Sequence, residues 1–201
     1  MMRIKEKFHS YIKRIKEYNN IANISKIIRR YFAVNGFDGV ITIIGALVGS
    51  YIIGTEDYKH VIITGSAICI SLGISGVWGA YSSEAAERKK EIYELEESIL
   101  HDLDETVISK AQKYATAVLA MVNGFSPVIT GFIPLIPFLF GRVLPVRICY
   151  YTGFALAFLI LFGIGLFLGK ISRSNLIVSG IKMITAGICC VILSLLLSLV
   201  E

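Results

Sequence analysis

Long apolar runs separated by short polar joints dominate the pattern of residues along the chain. The runs approach the roughly 20 residues that a helix needs to cross the hydrocarbon core of a bilayer. They predict five transmembrane helices, at Ala33–Ile53, Val61–Tyr81, Ala115–Phe140, Ile148–Leu168 and Leu176–Val200. The fold class that follows is an all-α membrane protein.

Two further segments are helical in character but lie outside these spans. Residues 1–30 place apolar side chains at three-four spacing among lysines and arginines, which predicts a basic amphipathic helix on the cytoplasmic membrane surface, next to anionic lipid. A solvated helix packed on the rest of the protein is the alternative. Residues 82–114 are rich in Glu and Asp and contain no proline or glycine. We expect Ser82 to about His101 to continue the second span as one helix that projects into the cytoplasm.

These segments divide the chain into four parts. Residues 1–30 form the amphipathic helix, 31–81 the first two spans, 82–114 the acidic segment, and 115–201 the last three spans. Lysine and arginine are concentrated in the first, third and fifth of the non-membrane segments, so the positive-inside rule places the N-terminus in the cytoplasm. We expect a multi-pass protein of the cell membrane.

Composition agrees with this interpretation and narrows the function. Hydrophobic residues make up 55% of the 201 residues, and the mean hydropathy is +0.68, which exceeds what a soluble core absorbs. The net charge of +5 lies beside apolar spans, where anionic lipid is the expected counter-charge and nucleic acid is not. The four cysteines form no C-x-x-C pair and lie in apolar runs. The sequence shows no nucleophile with its base, no phosphate-binding loop and no zinc set, so we expect neither an enzyme nor a permanently bound cofactor.

Asp38 is the first residue with candidate chemistry. It precedes an uncharged run that extends to Ile53, so it lies a turn or more inside the apolar region. An ionisable group at that depth is by default a functional-site hypothesis. A helix N-cap, or a carboxylate that still contacts water, is an equally good interpretation of its position.

An acidic stripe follows the second span. Its members share one face of the predicted helix, with Asp102 beside it: Glu84, Glu87, Glu91, Glu94, His101, Asp102 and Glu105. Like charges at this spacing repel, and a hard cation bound through oxygen ligands would offset the repulsion. A solvated face relieved by Arg88, Lys89 and Lys90 is the more common explanation. Asp102 can also be interpreted as the N-cap of the next helix, with Glu105 in its first turn.

Two neighbouring patterns are ambiguous. Beside the acidic face lies a predicted apolar packing face of Tyr81, Ala85, Ile92, Leu95 and Ile99. The second span aligns the hydroxyls of Thr64, Ser71, Ser75 and Ser82, and the third contains Asn123, Ser126, Pro127, Pro134 and Pro137. Such features line ion paths in membranes, but they serve helix packing and kinking equally well.

Three segments resemble the vacuolar iron transporter family. Asn35–Thr42 (NGFDGVIT) is similar to the motif of its first helix, and Gly131–Pro137 (GFIPLIP) to the Pro-x-x-Pro segment of its third. Gly169–Ser172 (GKIS) and Ser179–Met183 (SGIKM) resemble parts of its last two helices. The resemblance extends from about Arg30 to the C-terminus.

The resemblance implies a homodimer with an ion path between subunits and export of ferrous or manganous ion from the cytoplasm in exchange for protons. It implies that Asp38 is the intramembrane ligand and that Glu84 and Glu87 begin a metal-collecting acidic helix. The second helix of the family also carries a glutamate and a methionine, whereas Ile68–Tyr81 contains neither. Two hypotheses remain: a divalent-cation antiporter, and a non-transporting scaffold of the same fold whose acidic helix binds a cytoplasmic partner.

Overall fold

The computed structural model describes residues 24–99, 103 and 106–197, and that part of the chain is helical and contains no strand. Its helices are α1 (Ile24–Ile52), α2 (Tyr58–Ile99), α3 (Val107–Phe132), α4 (Val146–Ser172) and α5 (Leu176–Leu197). A 3₁₀ segment, Ile133–Phe140, follows α3 directly. Within the described residues, five stretches are long and apolar enough to cross a membrane, with α3 and the 3₁₀ segment counted together. The predicted all-α class and its five long apolar helices are confirmed.

The helices extend beyond the predicted spans. Residues 1–23 of the predicted amphipathic helix lie outside the described part, while Ile24–Arg30 already belong to α1. The 42 residues of α2 continue past Ser82 without a break, so the predicted continuous helix is confirmed as far as Ile99. At about 1.5 Å per residue this helix is roughly 63 Å long, about twice the thickness of a bilayer core.

Side chains define where two of the helices begin. The Asp57 carboxylate accepts a hydrogen bond from the Lys59 backbone N–H at 2.9 Å, at the start of α2. The Thr106 hydroxyl accepts one from the Ser109 N–H at 3.3 Å, which makes Thr106 the N-cap of α3. The interpretation of Asp102 as this N-cap is therefore wrong, because the helix opens four residues later.

Helix α3 packs against both α2 and α1 through close backbone contacts at glycine. A Cβ added at Gly39 of α1 would lie 2.6 Å from Pro127 Cα, and one at Gly76 of α2 would lie 2.9 Å from Gly124 Cα. Such contacts let helices approach without large interdigitating side chains. They hold α1 and α2 in fixed register on α3.

The remaining helices complete the bundle on the other side of α1. Helix α4 packs against the 3₁₀ segment and α1, where Leu47, Phe138 and Tyr150 form part of one buried cluster. Helix α5 packs mainly on α4, and a Cβ added at Gly165 would lie 2.6 Å from Gly180 Cα. Much of α5 is exposed, since only 11% of its most apolar window is buried within the chain.

The third span changes from α-helical to 3₁₀ geometry at its prolines. Pro127 lies inside α3, and the helix becomes a 3₁₀ segment around Pro134 and Pro137. The Thr130 hydroxyl donates to the Gly36 carbonyl at 2.8 Å and also approaches the Ser126 carbonyl at 3.0 Å. The Thr130 hydroxyl thus donates to backbone carbonyls next to the irregular part of the third span. Such bonds are expected where prolines interrupt the backbone hydrogen bonds of a helix in an apolar environment.

Candidate functional site

Asp38 lies at the middle of α1, 14 residues after Ile24 and 14 before Ile52. The N-cap interpretation of this residue is therefore wrong. Its side chain is exposed on the outside of the chain. Among the residues that the structure describes, none donates a hydrogen bond to its carboxylate or forms an ion pair with it. Asp38 is thus an outward-facing carboxylate in an apolar helix, without a hydrogen-bond donor or an ion-pair partner among the described residues.

The orientation of Asp38 follows from the residues around it. Gly36 and Gly39 are buried against α3, and Val40 is buried in the core, so the opposite side of α1 faces outward. Val34 lies one turn before Asp38 and is 52% exposed. A Cβ added at Gly49, three turns after Asp38, would meet nothing within 4 Å. We call this strip, formed by Val34, Asp38, Thr42 and Gly49, the open face of α1.

Helix α2 borders one side of the open face. Gly79 of α2 lines a groove of about 480 Å³ together with Val34 and Asn35 of α1. Because α2 runs antiparallel to α1, Ser75, four residues before Gly79, lies level with Asp38 to within about one turn. Three serines of the predicted hydroxyl line, Ser71, Ser75 and Ser82, are exposed, so their hydroxyls are accessible beside the open face.

Two asparagines connect α1, α2 and α3 by hydrogen bonds, at a level one turn before Asp38. The Asn35 side-chain amide donates to the Asn123 side-chain oxygen, and also to the Tyr31 carbonyl at 2.7 Å. The Asn123 amide donates to the Gly76 carbonyl at 3.0 Å. Of the two uses that the sequence left open for Asn123, hydrogen bonding between helices is the one observed. Asn35 lies in the NGFDGVIT motif, and a polar side chain at this position of an apolar helix was the signal for this role.

A second polar group lies where α2 leaves the apolar region, and we call it the Glu84–Arg88 cluster. It consists of Tyr31, Glu84, Arg88, Glu91 and Gln112. Arg88 is only 7% exposed, and its guanidinium lies 3.3 Å from the Glu84 carboxylate. The Tyr31 hydroxyl donates to Glu84 at 2.5 Å, and Arg88 donates to the Gln112 side-chain oxygen. The Gln112 amide donates to Glu91 at 3.1 Å.

This cluster changes the interpretation of the acidic stripe. Arg88 was expected to relieve a solvated face, but it is buried, and it joins Glu84 to α3 while Tyr31 joins Glu84 to α1. The spacing of Glu84 and Arg88 at i and i+4 was a signal for their pairing. Nothing local in the sequence pointed to Tyr31 or Gln112, which come from distant parts of the chain.

The other predicted ligands are distributed along the helix. Glu87 is exposed, and Glu94 lies 3.7 Å from the Lys90 ammonium on the surface. His101, Asp102 and Glu105 lie outside the described residues. Within residues 24–99, 103 and 106–197, no three side chains of His, Cys, Asp or Glu converge into a group that could hold a metal ion. The metal-ligand assignments stay predictions.

The predicted apolar face of the α2 extension is only partly covered. Ala85 and Ile92 are half-buried and line a groove with Gln112 and Thr116 of α3, so this part of the face is turned toward α3. Tyr81, Leu95 and Ile99 are 56%, 37% and 48% exposed. The packing face is therefore narrower than expected, because Glu84 and Arg88 occupy part of the contact with α1 and α3.

The fold defines a class: an all-helical protein with five helices long and apolar enough for a multi-pass membrane protein. No known protein-family model matches the chain. The chain is 30% identical over 167 residues to the uncharacterized protein MJ0645 of Methanocaldococcus jannaschii, which covers 82% of this chain and 85% of that protein. The chain belongs to the same family as that protein.

Proposed function

We propose that the chain is a five-span membrane transporter of divalent metal ions, ferrous or manganous, with its N-terminus in the cytoplasm. In this proposal it exports the ion from the cytoplasm in exchange for protons. Asp38 is the ligand inside the membrane, and the acidic extension of α2 collects ions at the cytoplasmic side. The observation that carries the proposal is the unpaired, outward carboxylate of Asp38 in the middle of α1.

A carboxylate at this position is costly if it faces lipid. A charged side chain near the centre of a membrane helix costs about 2.5–3.5 kcal/mol on insertion scales. Among the described residues, no partner within the chain offsets that cost for Asp38. A divalent cation would do so, since carboxylate oxygen is the ligand type that hard divalent ions prefer.

A second copy of the chain would complete the site. If two open faces of α1 meet at a two-fold axis, the two Asp38 carboxylates come close together and the hydroxyls of Ser71 and Ser75 flank them. Two nearby carboxylates in a low dielectric do not both ionise cheaply, so one retains a proton until a cation replaces it. Exchange of a metal ion for protons follows directly from that arrangement.

The resemblance to the vacuolar iron transporter family supports the same function. The segment that carries Asp38 and the proline segment of the third span are two of the segments that resemble that family. Both lie at the structural features that matter here, namely the open face of α1 and the change from α to 3₁₀ geometry.

One observation favours the second candidate, a scaffold that binds a basic cytoplasmic partner. Glu84 and Glu91 are engaged with Arg88 and Gln112, so half of the four-glutamate stripe serves the fold. The exposed Glu87 and Glu94 would suit lysine or arginine side chains of a partner as well as a cation.

Transport by purified protein in liposomes decides between the two candidates. Ferrous, manganous and zinc ions should be offered separately, with and without a pH gradient, to the wild type and to Asp38→Asn. The transporter proposal expects uptake of at least one ion by the wild type and background uptake by the variant. Equal uptake by wild type and empty liposomes would leave the scaffold as the function.

Cysteine crosslinking tests the dimer. With Cys189 replaced by Ser, a cysteine at Val34, one turn from Asp38, should crosslink two chains in lipid. A cysteine at Ile129, which is 55% exposed on α3, is the matched control and should crosslink much less. Equal crosslinking at both positions, or none at Val34, would contradict a dimer through the open face.

A further inference from the structure

Helix α5 carries one charged residue, Lys182, in an otherwise uncharged stretch from Leu176 to Leu197. Its side chain is exposed, and the ion pairs among the described residues all lie on α2 and leave Lys182 without one. Lys182 therefore repeats the situation of Asp38 with the opposite sign: an unpaired charge on the outside of an apolar helix.

The contacts between α1 and α5 place these two charges at the same level. The Cys190 thiol lies 3.9 Å from the Ile41 carbonyl, and a Cβ added at Gly45 would lie 3.9 Å from the same sulfur. Helix α4 runs antiparallel to both α1 and α5, as its glycine and aromatic contacts with each of them show, so α1 and α5 run in the same direction. Lys182 lies roughly 12 Å before Cys190 along the axis, which brings it within about one turn of Asp38.

Both side chains also border the same seam. On α5, Gly180 and Gly187 contact Phe162 and Phe158 of α4, whereas Cys190 contacts α1. At about 100° per residue, Lys182 lies roughly 80° from Cys190 but about 140° or more from the two glycines, so it is on the α1 side. Asp38 lies only about 20° around α1 from Gly45, the residue opposite Cys190.

We propose that Lys182 is the resident counter-charge of Asp38. When no metal ion is bound and Asp38 is ionised, the Lys182 ammonium pairs with the Asp38 carboxylate of the same chain across the α1–α5 seam, through a change of side-chain rotamer. The long, flexible stem of lysine makes that reach possible. This pair is itself neutral, and an incoming cation must displace the ammonium before it binds to the carboxylate.

This role explains a feature of the sequence as well. The second span lacks a carboxylate that could share a proton with Asp38, so an ionised Asp38 needs another partner after the metal ion leaves. A tethered ammonium is such a partner. It also favours dications over monovalent ions, because a dication attracts the carboxylate more strongly than the ammonium that it replaces.

The effect of this pair on transport rests on the proposed function, whereas the pairing of Lys182 with Asp38 can be tested without any transport. Thermal unfolding of the metal-free protein, in detergent with a chelator, should be measured for Asp38→Asn, Lys182→Met and the double variant. Each single change leaves the other charge alone, so each should lower the melting temperature by a few degrees. The double variant removes both charges and should lose less than the sum. Additive losses would overturn the pairing, since a lysine that only reaches toward the polar boundary gives that result.

Transport kinetics provide an independent measurement. Lys182→Gln removes the competitor of the metal ion, so the half-saturation concentration should fall about tenfold while the maximal rate also falls. Lys182→Arg keeps the charge and should behave like the wild type. Lys170→Gln, at the exposed end of α4, is the control and should change neither constant. Identical kinetics for Lys182→Gln and Lys170→Gln would overturn the role.

The two proposals fail in different ways. A wild type that moves no metal ion but shows non-additive unfolding would end the transporter proposal and support the pair. A wild type that transports well but shows additive unfolding would do the reverse.

Discussion

Two carboxylates on neighbouring helices, Asp38 and Glu84, have opposite surroundings. Glu84 accepts from Tyr31, pairs with the buried Arg88, and lies where three helices meet. Asp38 has no such partner among the described residues and faces outward from the middle of α1. A carboxylate that has a hydrogen-bond donor and an ion-pair partner contributes to the fold. A carboxylate without such partners that faces outward from an apolar helix is available to a ligand or a second subunit. The comparison supports a structural role for Glu84 and leaves Asp38 as the candidate ligand of the proposed site.

The largest effect should come from Asp38→Asn. The substitution keeps size and hydrogen bonding but removes the charge that offsets a dication, so metal uptake in liposomes should fall to background. Folding should persist, because the structure shows no hydrogen bond or ion pair of the Asp38 carboxylate among the described residues, and a melting temperature lower by a few degrees leaves the bundle folded. Normal uptake by this variant, with a native elution profile, would remove Asp38 from the ion path.

Glu84→Gln should have the opposite profile. It leaves the Arg88 guanidinium, 7% exposed, with the Glu91 carboxylate 3.9 Å away as its remaining charged partner. The fold should lose about 2–3 kcal/mol of stability, somewhat below the full effect for a completely buried pair. Thermal or denaturant unfolding would measure this. Glu87→Gln is the matched control three residues away, and it should change stability by less than about 0.5 kcal/mol. Equal stabilities for the two variants would show that the cluster does not hold α2 to α1 and α3.

Two glycines on α1 sharpen the difference between its inner and open faces. Gly39→Ala places a methyl group 2.6 Å from Pro127 Cα and should destabilise the bundle by about 1–3 kcal/mol. At Gly49 a Cβ would meet nothing within 4 Å of the same chain, so Gly49→Ala should leave the monomer unaffected or slightly more stable. If Gly49→Ala instead weakens the crosslinked dimer, the open face of α1 is in contact with the second copy.

The smallest effect should come from the exposed part of the acidic stripe. Replacing Glu87 and Glu94 together with Gln should raise the half-saturation concentration for metal severalfold and leave the maximal rate nearly unchanged. The reason is that a collecting surface changes the local cation concentration, whereas a ligand in the path is occupied in every cycle. The difference from wild type should fade as ionic strength rises. A loss of maximal rate instead would place these glutamates in the path.

Much of the architecture was predictable because it depends on local properties of the chain. Apolar runs of sufficient length predicted all five long helices, and the absence of proline and glycine from residues 82–114 predicted that α2 continues to Ile99. The prolines at 127, 134 and 137 marked where the third span changes geometry. Helix propensity, hydropathy and proline geometry act over a few residues, so the sequence reports them directly.

The environment of each charge was not predictable in the same way. Asp38 and Glu84 are both acidic residues near an apolar span, and the sequence pattern suggested the same role for both, as ligands along one ion path. Only the packing of α1, α2 and α3 placed Tyr31, Arg88 and Gln112 around Glu84 and left Asp38 open, because these partners come from segments up to 81 residues apart along the chain. The sequence by itself determined where helices form and which residues carry charge. The tertiary structure decided which charges are paired, since burial and pairing depend on contacts between helices rather than on neighbours along one.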